Sequence, residues 1–237
     1  MKNLTRWTTT GLLISLALVF SAKAIRAQDP VQVDSKHYKV ELENSQVRVL
    51  RINYGPHEKS VMHKHPAGVV VALTEQRGKF TFPNGKTQER SFTAGQTRWL
   101  PAETHLPENT GDKPFELILV EVKPGKAAGK RAAADDPLKV AAQQYKLEFE
   151  NQWVRVLRVN VGPHGKVAMH QHPGNVIVFL ADGRSKFTLP DGKTQEAEGK
   201  KGQVLWGEPG KHATENLSDQ SAQAIIVELK TAPAPAK

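Results

Sequence analysis

The sequence contains no cysteine. That removes disulfides as a source of stability and thiolates as metal ligands, so a tight metal site has to be built from His, Asp and Glu. Aromatic residues are few, at 6%. Apart from one stretch near the N-terminus there are no long apolar runs, and 38% hydrophobic residues is too low for a protein of several membrane spans. No amphipathic helical period runs through the body of the chain, which leaves short β-branched runs separated by turns. A single-signed charge field is also missing. The formal charge of +9 falls to +5 once Lys2, Arg6, Lys23 and Arg26 are set aside (9 − 4), and apart from a cluster at Lys123, Lys126, Lys130 and Arg131 the remainder is interspersed with acids. This distribution argues against a nucleic-acid partner.

Residues 1–27 read as a signal peptide. Lys2 and Arg6 precede a short apolar run over residues 11–20, and Ala22-Lys23-Ala24 supplies small residues for cleavage. The expectation is an exported protein, periplasmic or secreted, with no membrane segment after cleavage.

What the rest contains is a repeat. Met62-His63-Lys64-His65-Pro66 returns as Met169-His170-Gln171-His172-Pro173, an offset of 107 residues (170 − 63), and His105 returns at the same offset as His212. Tyr38-Lys39, Gly55-Pro56-His57, Gly85-Lys86-Thr87, Trp99 and Glu108-Asn109 recur likewise as Tyr145-Lys146, Gly162-Pro163-His164, Gly192-Lys193-Thr194, Trp206 and Glu215-Asn216. The chain therefore divides into a first domain over 28–123, a linker over 124–135, a second domain over 136–230 and a Pro/Ala tail over 231–237. Strands are expected over 47–54, 69–73, 80–82 and 117–122. Asn84-Gly85 and Asp191-Gly192 mark hairpins, and a helical turn is expected over 140–144. The class is all-β, sandwich or barrel, in two tandem copies.

In a strand, side chains at i and i+2 share a face. His63 with His65, and His170 with His172, therefore stand side by side. His105 and His212, each from a neighbouring strand, would complete three-imidazole sets. Such sets suit Fe, Zn, Cu or Ni and leave coordination positions open.

These motifs resemble those of the cupin superfamily. Gly55, His63, His65 and Gly78 fit its first motif in order, and Gly95, Pro101, His105 and Asn109 its second. Gly162, His170, His172, Gly202, His212 and Asn216 repeat them, with Glu208 in the proline position. The resemblance implies two jelly-roll-like β-barrels, a bicupin, each holding a divalent metal near its mouth, with a small molecule as ligand or substrate and a homo-oligomer allowed for. One departure stands out. Where the family has a metal-binding glutamate, this chain has Val69 or Val70 and Val176 or Ile177, so the metal set stops at His63, His65, His105, His170, His172 and His212. The function expected is a metal-dependent, dioxygenase-like oxidoreductase acting on a small molecule; the alternative is a non-catalytic ligand-binding or structural protein. No catalytic base is assigned. Glu108 and Glu215 fall on the face opposite the third histidine, and Glu58 and Glu103 have no acidic counterparts. His57 and His164 read as turn residues, Trp99 and Trp206 as core, and Asn109 and Asn216 as turn caps. The histidines do not distinguish one copy from the other.

Overall fold

The structure is a computed structural model that describes residues 28–123 and 132–230. The leader expected over 1–27, the linker up to residue 131 and the tail expected over 231–237 lie outside the described residues. The chain resumes with a 3-10 turn over Ala133–Asp135.

Each half opens on an Asp-Pro pair. Asp29 and Asp136 accept the N–H of Val31 and Leu138 (3.0 Å each), and proline supplies the first residue of a one-turn helix: α1, Pro30–Val33, and α2, Pro137–Val140. The helical turn expected over 140–144 thus lies earlier, where the cap sets it. Nine strands follow in the first half: β1 Tyr38–Glu43, β2 Val47–Tyr54, β3 His63–His65, β4 Gly68–Ala72, β5 Gln76–Thr81, β6 Thr87–Phe92, β7 Thr97–Leu100, β8 Glu103–Asn109 and β9 Phe115–Val122. Nine more form the second: β10 Tyr145–Glu150, β11 Val154–Val161, β12 Lys166–His172, β13 Asn175–Phe179, β14 Gly183–Thr188, β15 Thr194–Gly199, β16 Val204–Gly207, β17 Gly210–Asn216 and β18 Ala222–Leu229.

The strands pair as β1-β2-β9-β4-β7 and β3-β8-β5-β6, and the second half repeats this as β10-β11-β18-β13-β16 and β12-β17-β14-β15. All pairs are antiparallel. Even the irregularity in the first pair recurs, between Val40 and Leu42 and between Leu147 and Phe149. In each half the five-stranded and four-stranded sheets face one another and enclose a barrel interior, the jelly-roll arrangement.

The central strands of the five-stranded sheets bury apolar residues on both faces. Along β2, Leu50, Ile52 and Tyr54 point into the first barrel, while Val47 and Val49 point out of it. The outward set, with Val69, Val71, Ile118 and Val120, packs against Val154, Val156, Val176, Val178, Ile225 and Val227 of the second barrel in one shared core. Two hydrogen bonds clamp this seam symmetrically. Arg51 donates to the Gly202 carbonyl and Arg158 to the Gly95 carbonyl, at 2.6 Å each. Both glycines hold positive φ (78° and 82°), which glycine adopts freely and which turns each carbonyl toward the opposite barrel.

Because the barrels share this core, they should unfold together. Ile225→Ala, at a fully buried seam position, should cost about 2–5 kcal/mol and lower a single calorimetric transition. Two resolved transitions would show that the barrels fold independently.

Candidate metal centre

Strand register brings the histidines together. In the second barrel β12 carries His170 and His172, β17 carries His212, and His170 lies opposite His212. One ligand atom from each lies within 4.8 Å of the others. His170 donates its Nδ1–H to the Ala168 carbonyl (2.7 Å) and His172 its Nδ1–H to Glu228 Oε1 (2.6 Å). These acceptors place the protons on Nδ1 and leave Nε2 lone pairs for other use. The Tyr145 hydroxyl stands between them, donating to His170 Nε2 at 3.0 Å and 3.5 Å from His172 Nε2. Burial, joined by the neighbouring imidazoles, lowers His170 to about 4 and His212 to about 3. Both are therefore neutral at pH 7, the form a metal requires.

The first barrel is built differently. His63 lies opposite His105 across β3 and β8, yet its ring centre is 5.1 Å from that of His105 and 6.4 Å from that of His65. The group whose ligand atoms fall within 4.8 Å of one another is His65, Glu103 and His105. His63, His65 and His105 donate Nδ1–H to Val61 O (2.9 Å), Pro66 O (2.9 Å) and Glu103 Oε2 (2.8 Å). All three thus keep Nε2 lone pairs, and that of His63 is buried with no hydrogen-bond partner among the described residues. Burial first, then His105, lowers His63 and His65 to about 4. Glu103 had been set aside because copy two has Gly210 there; two residues before His105 on the same face of β8, it also accepts from Arg90 at 2.8 and 2.6 Å.

The second barrel's donor set fits a divalent transition metal: three imidazoles whose ligand atoms lie together and a carboxylate behind one of them. That supporting carboxylate was missed in both barrels. Glu228, on the last strand of its barrel, also accepts from Arg155 Nε at 2.6 Å, and Arg155 reaches Asp136 at 3.0 Å. Asp29, Arg48 and Glu121 repeat this triad, with both contacts at 2.5 Å. The outcomes differ. Burial opposes ionisation of Glu228, but His172 and Arg155 outweigh it and hold the group below its usual range. Among the described residues Glu121 has no histidine on it and its buried Oε1 has no hydrogen-bond partner, and burial pushes its pKa up despite Arg48. The sequence signal was an Arg and a Glu recurring at matched positions of otherwise apolar strands.

Of the remaining candidates, Trp206 lines the same cavity as His172 and His212. Glu108 and Glu215 face outward and pair with Lys79 (3.0 Å) and Lys186 (2.6 Å). His57 and His164 are exposed at left-handed φ (56° and 54°) and bond Asp112 and Asp219. Trp99 and Trp206 pack on the seam. Asn109 and Asn216 are buried and bind backbone on both sides, Asn109 joining Gly55 O to Lys113 O and Asn216 joining Val161 O to Gln220 O.

The interiors separate the two copies. The cavity beside His65 and His105 measures about 40 Å³, whereas that beside His172, His212 and Tyr145 measures about 410 Å³. Tyr54, Arg90, Phe92, Phe115 and Leu117 fill the first barrel; their counterparts Val161, Ala197, Gly199, Ala222 and Ala224 leave the second hollow. The larger cavity is in the range that holds a small organic ligand. Dry and sealed, a void of that size would cost on the order of 10 kcal/mol, comparable to the whole stability of a domain.

No family model matches the chain and no curated protein matches it in sequence. Solved structures do. Oxalate decarboxylase from Bacillus subtilis aligns at TM-score 0.55 and 12% identity over 80% of this chain and 69% of that one. A second structure of that enzyme, from a study of its Mn(II) centres, aligns at 0.54 and 11% over 83% and 76%. A cupin 2 conserved barrel domain protein from Leptotrichia buccalis aligns at 0.51 and 12% over 81% and 88%. At these identities the likeness establishes the fold, which is that of a two-barrel cupin.

Two outcomes follow from the site. Between about pH 6.5 and 4 the unfolded chain binds protons on histidines that the folded metal-free protein keeps neutral, so stability should fall as pH drops through that window. Urea midpoints measured from pH 7 to 4 check this; a flat profile contradicts it. Glu228→Gln should weaken metal binding about 10–100-fold, read by competition with a chromogenic chelator.

Proposed function

We propose that this chain is a metal-dependent cupin whose second barrel is the working site. His170, His172 and His212 hold one divalent transition metal (iron, zinc, copper or nickel) at the inner end of the 410 Å³ cavity. The observation that carries the reading is this coincidence of a compact three-histidine set with a space for a ligand, beside a first barrel that has histidines but no such space. The bound metal would polarise the ligand or activate dioxygen, as open histidine sites do. Glu228 fixes the ring and tautomer of His172, and Tyr145, whose hydroxyl lies beside the Nε2 atoms of His170 and His172, would give up its hydrogen bond to His170 when that nitrogen ligates the metal. The reaction class this supports is a dioxygenase-like oxidation of a small molecule. The charged, then apolar, start of the sequence supports export to the periplasm or medium.

A non-catalytic ligand-binding role is the second reading. It is favoured by the state of Glu228: the carboxylate that touches a histidine of the second barrel is already engaged by Arg155, which leaves it poorly placed as a general base.

His212→Ala should remove one equivalent of metal and all turnover, while His105→Ala should leave turnover intact. Elemental analysis and oxygen uptake with thiols, diketones and flavonols check both. Ligand binding without oxygen uptake in the iron-loaded protein would favour the second reading. Turnover that survives His212→Ala but not His105→Ala would move the site to the first barrel.

A further inference from the structure

The wall of the second cavity restricts what it can hold. Among the described residues no lysine or arginine lines it, whereas the carboxylates Glu198 and Glu208 do. An anion that shed its water there would find only the metal to balance it. The rim is greasy: Leu189 and Leu205 line it while 43% and 37% exposed. One polar group in the wall is conspicuous. Asn175 is buried, and its Nδ2 donates to the Pro173 carbonyl at 2.8 Å and the Gly207 carbonyl at 3.3 Å. Its Oδ1 is left without a partner among the described residues. That oxygen is itself shut off from the cavity, and Gly207 lies close against it: a Cβ there would stand 2.6 Å away. In the first barrel these two positions are Gly68 and Leu100, and Arg90 lines the cavity in place of Ala197.

We infer that the lining of the second barrel's chamber, apart from any metal, favours an uncharged, mostly apolar molecule of roughly 10–20 non-hydrogen atoms over a carboxylate of the same size. The inference deepens the reading of the second barrel as the ligand site and rests on it. It separates this chain from the enzyme whose fold it shares.

The test is calorimetric titration of the full-length metal-free protein with 2-naphthol, 2-methoxynaphthalene, 2-naphthoate and oxalate. 2-Naphthol should bind at one equivalent, about tenfold more tightly than 2-naphthoate or oxalate. 2-Methoxynaphthalene, equally uncharged, should bind within about threefold of 2-naphthol. Ala222→Phe with Ala224→Leu, which restores the residues of the first barrel, should abolish naphthol binding without changing zinc uptake. Ala224→Leu alone, the milder change, should weaken it. Equal or tighter binding of 2-naphthoate or oxalate, or naphthol binding unchanged in the refilled variants, overturns the inference. Failure of the wild-type protein to take up zinc, with naphthol selectivity intact, would instead overturn the metal reading and leave the ligand class standing.

Discussion

The constraint on which the structure depends is the valine-rich seam between the two five-stranded sheets. A sheet buried on both faces cannot simply alternate polar and apolar residues, so β4 is apolar throughout and β2 and β9 are apolar except for Arg48, Arg51, Asn53, Glu116 and Glu121. The seam is also self-complementary, because each barrel presents to the other the surface it receives. A change at one outward position is met by the corresponding position of its twin. The outward residues accordingly match in pairs: Val47 and Val154, Val49 and Val156, Val69 and Val176, Val71 and Val178, Ile118 and Ile225, Val120 and Val227.

The inward faces carry no such tie. Leu50 and Leu157 agree, but Tyr54 and Val161, Ala72 and Phe179, Phe115 and Ala222, and Leu117 and Ala224 do not. Each interior can repack alone provided its own volume is filled or left usefully empty. One interior became a packed core around histidines, the other a chamber. The exchange is not one-directional: Phe179 crowds the second barrel so closely that a Cβ at Gly199 would lie 2.3 Å from its ring, while the first barrel has Phe92 at that position.

Most of the fold was legible because its signals are local or repeated. Asn-Gly and Asp-Gly turns, β-branched runs and the 107-residue offset need no knowledge of distant contacts. The difference between the barrels was written at the same offset, but in apolar residues; comparing histidines alone, which all recur, concealed it. Requiring an acid to recur discarded Glu103, whose contact with His105 belongs to one barrel only. Glu228 and Tyr145 were missed for another reason. Their partners lie 56 and 25 residues away, and strand spacing gives a side chain's face, not which strand it will meet.

The absent glutamate takes on a different meaning in this light. Of the valines and isoleucine at the expected position, Val70 and Ile177 line the interiors, while Val69 and Val176 face the seam. No carboxylate therefore enters the metal set from β4 or β13. Each barrel brings a carboxylate to a histidine from elsewhere, Glu103 behind His105 and Glu228 behind His172. A carboxylate behind the ring orients the ligand and makes it more basic, yet it leaves a coordination position open and spends part of its charge on an arginine. A metal held by the second barrel's histidines would keep more of its positive charge, and no lysine or arginine among the described residues lines the wall around that position. Such a metal would be the dominant positive charge of a chamber whose lining is largely apolar and whose charged residues, Glu198 and Glu208, are both acidic.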